Sequence, residues 1–508
     1  MTLRIRDHAM PARKNVKIKP DETVTGDWSL VIHRVSESSA EIWVGALYAQ
    51  LAMPKKARVD LKLHDGRTRT KKITASNWDR PLRDHEQRFF CLVTFTGLEP
   101  GKRYEVYFSR YIEKNDAIGR GAQWQELRDG TFRTLPKRLP TKSQASFTVG
   151  MGSCYYTHRD GGQAAGAYRA LHDRGERSVQ PDITFLTGDQ VYLDIGFDSL
   201  SLRGREIRQR IGDDYAKHWQ MLGSILTRGG TWMLPDDHEY WNDWPFTDSM
   251  LPNLLALKIP KVKRAWSRAS KDAVKNIQRC QRVETFDIGK DISFCLADLR
   301  SHRSEERFLP IADFKRLIDW ARNLKTPGVL VLPQPLIVEW NKLERNLLTY
   351  TTQYNDLLRA LAGSGHDVVL LTGDVHFGRI ARANLGDNGG RLIEIIASPL
   401  SNLTGLGGLA TATPKLKPKH FPDSKVLKME GWTSTDVIYD KSFNVSTKKG
   451  WRSSAYPKAR TREHFMTVGF NRGANSNVQL TVNAWRVRER DEDNLPVRDF
   501  GPFVEMLK

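Results

Sequence analysis

Three things are scarce in this chain of 508 residues, and each scarcity excludes a class of protein. No apolar run approaches the ~18 residues that a membrane-spanning helix needs. The opening Met1-Thr2-Leu3-Arg4-Ile5-Arg6-Asp7-His8 has neither the apolar core of a secretory signal nor a twin-arginine pair. The chain as written is therefore expected in the cytoplasm, and outside it only where a leader has been removed. Cysteine is scarce too: Cys91, Cys154, Cys280 and Cys295 are too few and too scattered for a disulfide framework. A Cys91–Cys154 or Cys280–Cys295 bridge stays open. Acidic residues are outnumbered, 59 against 79 lysines and arginines, which leaves a net charge of +20. Such a balance draws anions, whether phosphate esters, other polyanions, nucleic acid or anionic lipid, and does not choose among them.

What is present is enough for a folded core. Hydrophobic residues make up 39% of the chain and fourteen tryptophans add to them, so disorder is excluded. Residues 1–25 read as a basic tail. Over residues 26–136, short alternating strands separated by turn residues predict a β-sandwich. Within it, Leu98-Glu99-Pro100-Gly101-Lys102-Arg103-Tyr104 resembles the corner that opens a late strand in fibronectin type III domains and in purple acid phosphatase N-terminal domains. A proline- and lysine-rich linker, 135–140, follows. Over residues 145–404, apolar strands at 147–151, 183–186, 232–234, 292–296, 329–332, 368–371 and 392–397 alternate with helical segments, as in a layered α/β domain. Ile207, Ile211, Tyr215, Trp219, Leu222 and Leu226 mark one face of such a helix. Residues 405–460 read as an irregular insertion or lid, and 461–508 as terminal strands completing the layered domain. No internal repeat occurs.

Several strands end in residues suited to metals and phosphates. Gly152-Ser153-Cys154 follows the first, Gly188-Asp189-Gln190-Val191-Tyr192 the second and Asp236-Asp237-His238-Glu239 the third. Asp298-Leu299-Arg300-Ser301 and Gly373-Asp374-Val375-His376 follow later ones. Open α/β sheets bind ligands beyond the carboxyl ends of their strands, so these clusters can converge in space. The glycines before Asp189 and Asp374 fit tight turns that expose the acid. Singly each motif is weak, and the bland reading of Cys154 or Tyr192 is a buried core side chain. In this order the set resembles the PhoD-like alkaline phosphatases and phosphodiesterases, a branch of the calcineurin-like metallophosphoesterase superfamily. The resemblance covers about residues 147–402.

The resemblance implies a fibronectin III/Ig-like β-sandwich followed by a layered αββα metallophosphoesterase domain. It implies hydrolysis of phosphate monoesters, diesters or both by a metal-bound hydroxide, with two metals clamping the phosphoryl oxygens. Cys154, Asp189 and Tyr192 would hold the first metal, with Asp189 bridging. A thiolate and a phenolate there suit iron. Asp237, Asn242 and Asp374 would offer hard oxygens to a divalent second ion (calcium, manganese or magnesium), with either Asp237 or Asn242 as the ligand, and His376 a nitrogen. His238 would protonate the leaving group or steady the transition state. Arg300 would grip phosphate bidentately. Asp236 and Glu239 are expected to support these ligands, and the basic run Lys258–Arg279 to be a solvated helix face. The reading of another class is a non-catalytic module that holds nucleic acid or anionic lipid.

Overall fold

The computed structural model describes residues 27–83, 87–113, 122–141, 145–157, 160–195, 201–248, 252–340, 345–387, 389–403, 417–423, 432–445, 462–473 and 477–508. The basic tail and most of the insertion lie outside the described residues.

Seven strands build the amino-terminal unit: β1 (Ser29–Val35), β2 (Ser39–Ala46), β3 (Lys56–Lys62), β4 (Thr68–Thr74), β5 (Phe89–Thr96), β6 (Arg103–Ile112) and β7 (Gln123–Arg133). They pair as β1-β2-β5 and β4-β3-β6-β7, the two sheets of a sandwich. Alternation explains most of them: along β3, Ala57, Val59 and Leu61 point inward and their neighbours outward. The corner motif forms as its residues suggest, with Gly101 at φ +69° and the Glu99 N–H donating to the Tyr104 hydroxyl at 2.8 Å. Strand β4 had no apolar signal, because among Thr68–Thr74 only Ile73 is buried. It is a charged edge strand, a composition that discourages edge-to-edge pairing.

The second unit holds two seven-stranded sheets. Its elements in chain order are β8 (Phe147–Gly152), α1 (Gln163–Arg174), β9 (Ile183–Thr187), α2 (Gly204–Leu226), β10 (Gly230–Leu234), α3 (Pro260–Asn276), β11 (Val283–Ile288), β12 (Ile292–Ala297), α4 (Ile311–Arg322) and β13 (Gly328–Val331). There follow α5 (Thr351–Gly363), β14 (Val368–Thr372), β15 (Phe377–Asn384), β16 (Arg391–Ala397), β17 (His420–Phe421), β18 (Thr435–Asp436), β19 (Ile438–Asn444), β20 (His464–Arg472), β21 (Val478–Arg490), β22 (Pro496–Arg498) and β23 (Phe503–Leu507). One sheet runs β10-β9-β8-β20-β21-β22, with β23 also on β21, and the other runs β11-β12-β13-β14-β16-β15-β19. Parallel β8, β9 and β10 are buried on both faces and read as continuous apolar runs.

Three apolar clusters define the layers. Between the sheets lie Val149, Phe185, Phe294, Val331, Leu371, Ile395 and Val468, continuous with the sandwich core. Helices α1, α2 and α3 cover the first sheet, and α4 and α5 the second, giving the αββα order. All six residues of the expected helix face on α2 are buried. Each such side chain contributes roughly 1.5–3 kcal/mol on burial. The basic run lies on α3, with Val262, Trp266, Ala269 and Ala273 inward. Strand β19 falls inside the stretch read as irregular. It is the polar edge of its sheet, with Phe443 its one buried residue, so it carries no alternation to detect. All four cysteines are free. Among the described residues no helix is long and apolar enough to cross a membrane.

The sandwich is joined to the layered domain by backbone as well as side chains. The Thr131 N–H of β7 donates to Thr227 O at 2.9 Å, and the Gly229 N–H returns to Thr131 O at 2.8 Å. Gly130 permits this approach, since a Cβ there would lie 2.9 Å from Thr227 O.

Candidate metal centre

The motif residues meet beyond the carboxyl ends of β8, β9, β10 and β14. Three groups of donor atoms form there, each within 4.8 Å: Cys154, Asp189 and His376; Asp189, Asp237 and His238; and Asp236, Asp237 and Asp374. Asp189 is common to the first two groups and Asp237 to the last two. Tyr192 joins the first, its hydroxyl 3.4 Å from His376 Nε2. Asn242 stands at the margin: its backbone N–H donates to Asp194 at 2.8 Å and its side-chain amide to Asp243 at 3.3 Å.

The backbone is strained where the donors sit. Among the described residues eight non-glycines have positive φ, and Cys154, Asp189, Asp243, Asp374 and His376 are five of them. Left-handed geometry is costly for such residues and persists where surrounding structure imposes it, typically at functional sites. The preceding glycines make the turns possible. Gly188 has φ +105°, and a Cβ on it would lie 2.7 Å from the Asp236 Cβ; one on Gly373 would lie 2.3 Å from Ser153 Oγ.

Hydrogen-bonding groups hold several of these donors in place. The Asn402 carbonyl accepts from His376 Nδ1 at 2.7 Å, which leaves Nε2 unprotonated and facing the donors. Burial takes the His376 pKa down to about 4, so the ring is neutral. Gln334 donates to Asp374 at 3.0 Å and itself accepts from Arg303 at 2.7 Å. Glu239 accepts the backbone N–H groups of Asp189, Gln190 and Asp236, at 3.0, 2.7 and 2.8 Å, and the Gln278 amide at 3.1 Å. It thus ties the β9 and β10 loops together, in line with its expected supporting place. Asp236 caps the short 3-10 turn and pairs with Arg300.

Asp194, Asn402, Gln334 and Ser398 carry no motif, and sequence reasoning passed over them. Asp194 follows Tyr192 by two residues, and its carboxylate holds His238 Nδ1 at 2.6 Å. Burial opposes a charge on His238, but Asp194, Asp189 and Asp237 outweigh it and raise its pKa well above the usual range. The ring packs on Tyr192 with centroids 4.4 Å apart. Arg300 is engaged more fully than a free phosphate clamp would be. Its Nε donates to Asp236 and its Nη1 to the Trp244 carbonyl at 3.1 Å, so a bidentate grip requires one of these to release.

The donor set fits cations. Asp236 Oδ2 and Asp237 Oδ1 are buried and have no hydrogen-bond partner among the described residues, and orphaned carboxylate oxygens of this kind are expensive without a counter-charge. Burial pushes Asp189 and Asp236 well above the carboxylate range and the Cys154 thiol up to about 12. Tyr192 is likewise raised, by burial first and then by Cys154 and Asp189. Asp237 goes the other way, held below the usual range because Arg300 and His238 outweigh its burial, so burial favours protons on Asp189, Asp236, Cys154 and Tyr192 that bound metals would displace.

No protein-family model matches this chain, and no curated protein matches it. Solved structures do. The structure of PhoD aligns over 94% of this chain and 92% of its own, with a TM-score of 0.56 and 15% identity. Purple acid phosphatase PPD1 from yellow lupin (Lupinus luteus) seeds aligns over 94% of this chain and 73% of its own, with a TM-score of 0.51 and 11% identity. The chain therefore shares the fold of PhoD and of this purple acid phosphatase.

Proposed function

We propose that the chain is a metal-dependent phosphoesterase that hydrolyses phosphate monoesters or diesters. The observation that carries this is the convergence of three donor groups sharing Asp189 and Asp237 at the ends of the parallel strands. A pair of cations held there would supply an activated water and charge neutralisation for the phosphoryl oxygens. Cys154, Asp189, Tyr192 and His376 would hold one, and a thiol with a phenol favours iron. Asp237 and Asp374 would hold a divalent ion (calcium, manganese or magnesium). Asp237 is favoured over Asn242 because its Oδ1 is buried without a partner.

The chain's own residues then handle protons and position. His238, oriented through Nδ1 by Asp194, keeps Nε2 for the leaving-group oxygen and enters the reaction protonated. Asp194 is a positioning residue. Arg300 holds Asp236 in place, and the substrate's anionic oxygens gain from the charge it retains when buried.

Metal analysis with a visible spectrum, followed by turnover of chromogenic mono- and diesters across a metal panel, tests the reading. Iron with a divalent ion, a broad tyrosinate charge-transfer band and turnover are expected. Protein that holds metal yet turns over neither ester with any ion defeats the enzymatic reading, and colourless zinc-only protein removes Tyr192 from the ligand set.

A further inference from the structure

At the amino end of β9 the electrostatics reverse. Where the sandwich meets the loop between α1 and β9 there is an open cleft of about 310 Å³, its mouth included, lined by Arg103, Thr131, Arg133, His172, Arg177 and Asp182 among others. Arg103 and Arg133 come from β6 and β7 of the sandwich; His172 and Arg177 come from α1 and the loop after it. Three guanidiniums thus converge from both units on a lining with one carboxylate.

That carboxylate is already committed. Asp182 Oδ1 accepts from Arg177 at 2.6 Å, with Arg133 at 3.7 Å, and its Oδ2 accepts the Thr148 N–H at 3.0 Å. Arg103 gives its Nε to the Thr131 hydroxyl at 3.0 Å, and among the described residues no carboxylate forms an ion pair with it. Burial and then Arg177 lower the Arg133 pKa, with Arg103 adding to them against Asp182. The cluster is positive and under-compensated. Surface arginines are commonly just solvated, but Arg133 and Arg177 are partly buried, and with the exposed Arg103 they line one concave space. Guanidinium forks match tetrahedral oxyanions.

The cleft is separate from the metal centre. Asp182 precedes β9 and Asp189 follows it, so at about 3.3 Å per residue the two sites lie roughly 20 Å apart. We propose that this cleft is a second, non-catalytic binding site for a phosphate-type oxyanion, gripped by Arg103 and Arg133 from the sandwich and Arg177 from the layered domain. Its occupation would clamp the two units together. The inference does not rest on the phosphoesterase reading, because binding here is expected whether or not esters turn over.

Inorganic phosphate is the probe, titrated calorimetrically into metal-loaded protein, with chloride at matched ionic strength as control. The R103Q/R177Q double variant is expected to bind one phosphate fewer per chain, or that phosphate about tenfold or more weakly, with ester turnover unchanged. Equal stoichiometry and affinity in variant and wild type overturn the proposal, as does equal competition by chloride. Arg177 also partners Asp182, so a measurement on the unmodified chain stands beside this. Phosphate should slow phenylglyoxal modification of Arg103, read by mass spectrometry, and no protection counts against the site. If short polyphosphate protects better than orthophosphate at equal phosphate concentration, the bound group belongs to a longer polyanion; equal protection assigns it to free phosphate.

Discussion

Strand β9 has a charged site at each end, and the two are built on opposite plans. Beyond its carboxyl end, acids outnumber cations: Asp189, Asp236, Asp237 and Asp374 crowd around Arg300 and His238, with Asp189 and Asp374 on left-handed backbone. Before its amino end, arginines outnumber acids, and none of the lining residues has positive φ. The difference teaches which site the fold is organised around. The strain and orphaned carboxylates of the first are of the kind that bound cations would relieve. The second asks nothing of the backbone and relies on side chains gathered by the packing of two units.

The largest effect is expected where charge and strain coincide. Asp189→Asn or Asp374→Asn should lower ester turnover on the order of a thousandfold or more and reduce the bound metal measured by elemental analysis. If either variant keeps both, the carboxyl end is not a metal centre and the contrast between the two ends fails. Next is Asp194→Asn, which leaves the metal donors alone and removes the main support for the charge on His238. Loss of an oriented acid costs about 10²–10⁴-fold. As the proposed proton donor, His238 would have to be protonated to act, so the alkaline limb of the pH–rate profile should move to lower pH in this variant. A rate loss with an unmoved limb would sink the proton-donor role.

Those two predictions also mark where the sequence was legible. Asp189, Asp374 and His376 stand at the ends of apolar strands behind a glycine, a local arrangement whose purpose is readable in a few residues. The strands themselves were readable because burial on both faces demands continuous apolar runs. Asp194, Asn402 and Gln334 were not. Each acts on a side chain of the candidate site from another turn or strand, and nothing in its immediate neighbours announces the partner. The sheet order is hidden for a similar reason: β20, near the carboxyl terminus, lies between β8 and β21 through pairings more than 300 residues apart for Phe470 and Phe147. Edge strands β4 and β19 were missed because polar edges carry no alternation. The arginine cleft is the extreme case, since its residues come from four separate segments.

Glu239 gives a smaller test of the same contrast. Its carboxylate gathers N–H donors from both the β9 and β10 loops, and burial takes its pKa up to about 8. Glu239→Gln keeps the shape but replaces one acceptor oxygen with a donor that faces a backbone N–H. Metal affinity should fall about 10–100-fold, as for other groups that orient ligands from behind, and raising metal concentration should recover turnover. Turnover lost irretrievably at saturating metal would mean that Glu239 does more than align the loops.

The smallest effect belongs to the amino end. Arg177→Gln removes the closest cation from Asp182, a buried carboxylate whose pKa burial already raises. Arg177 is about a third exposed, so solvent takes up part of the loss, and Arg133 remains nearby. A decrease in unfolding stability of about 1–2 kcal/mol is expected by denaturant titration, with metal content and turnover unchanged. Phosphate should protect the wild type against unfolding more than the variant, because only the wild type has the full set of guanidiniums to hold it. A variant with wild-type stability and wild-type phosphate protection would reduce the cleft to a solvated patch of arginines. The asymmetry along β9 would then lie wholly at its metal end.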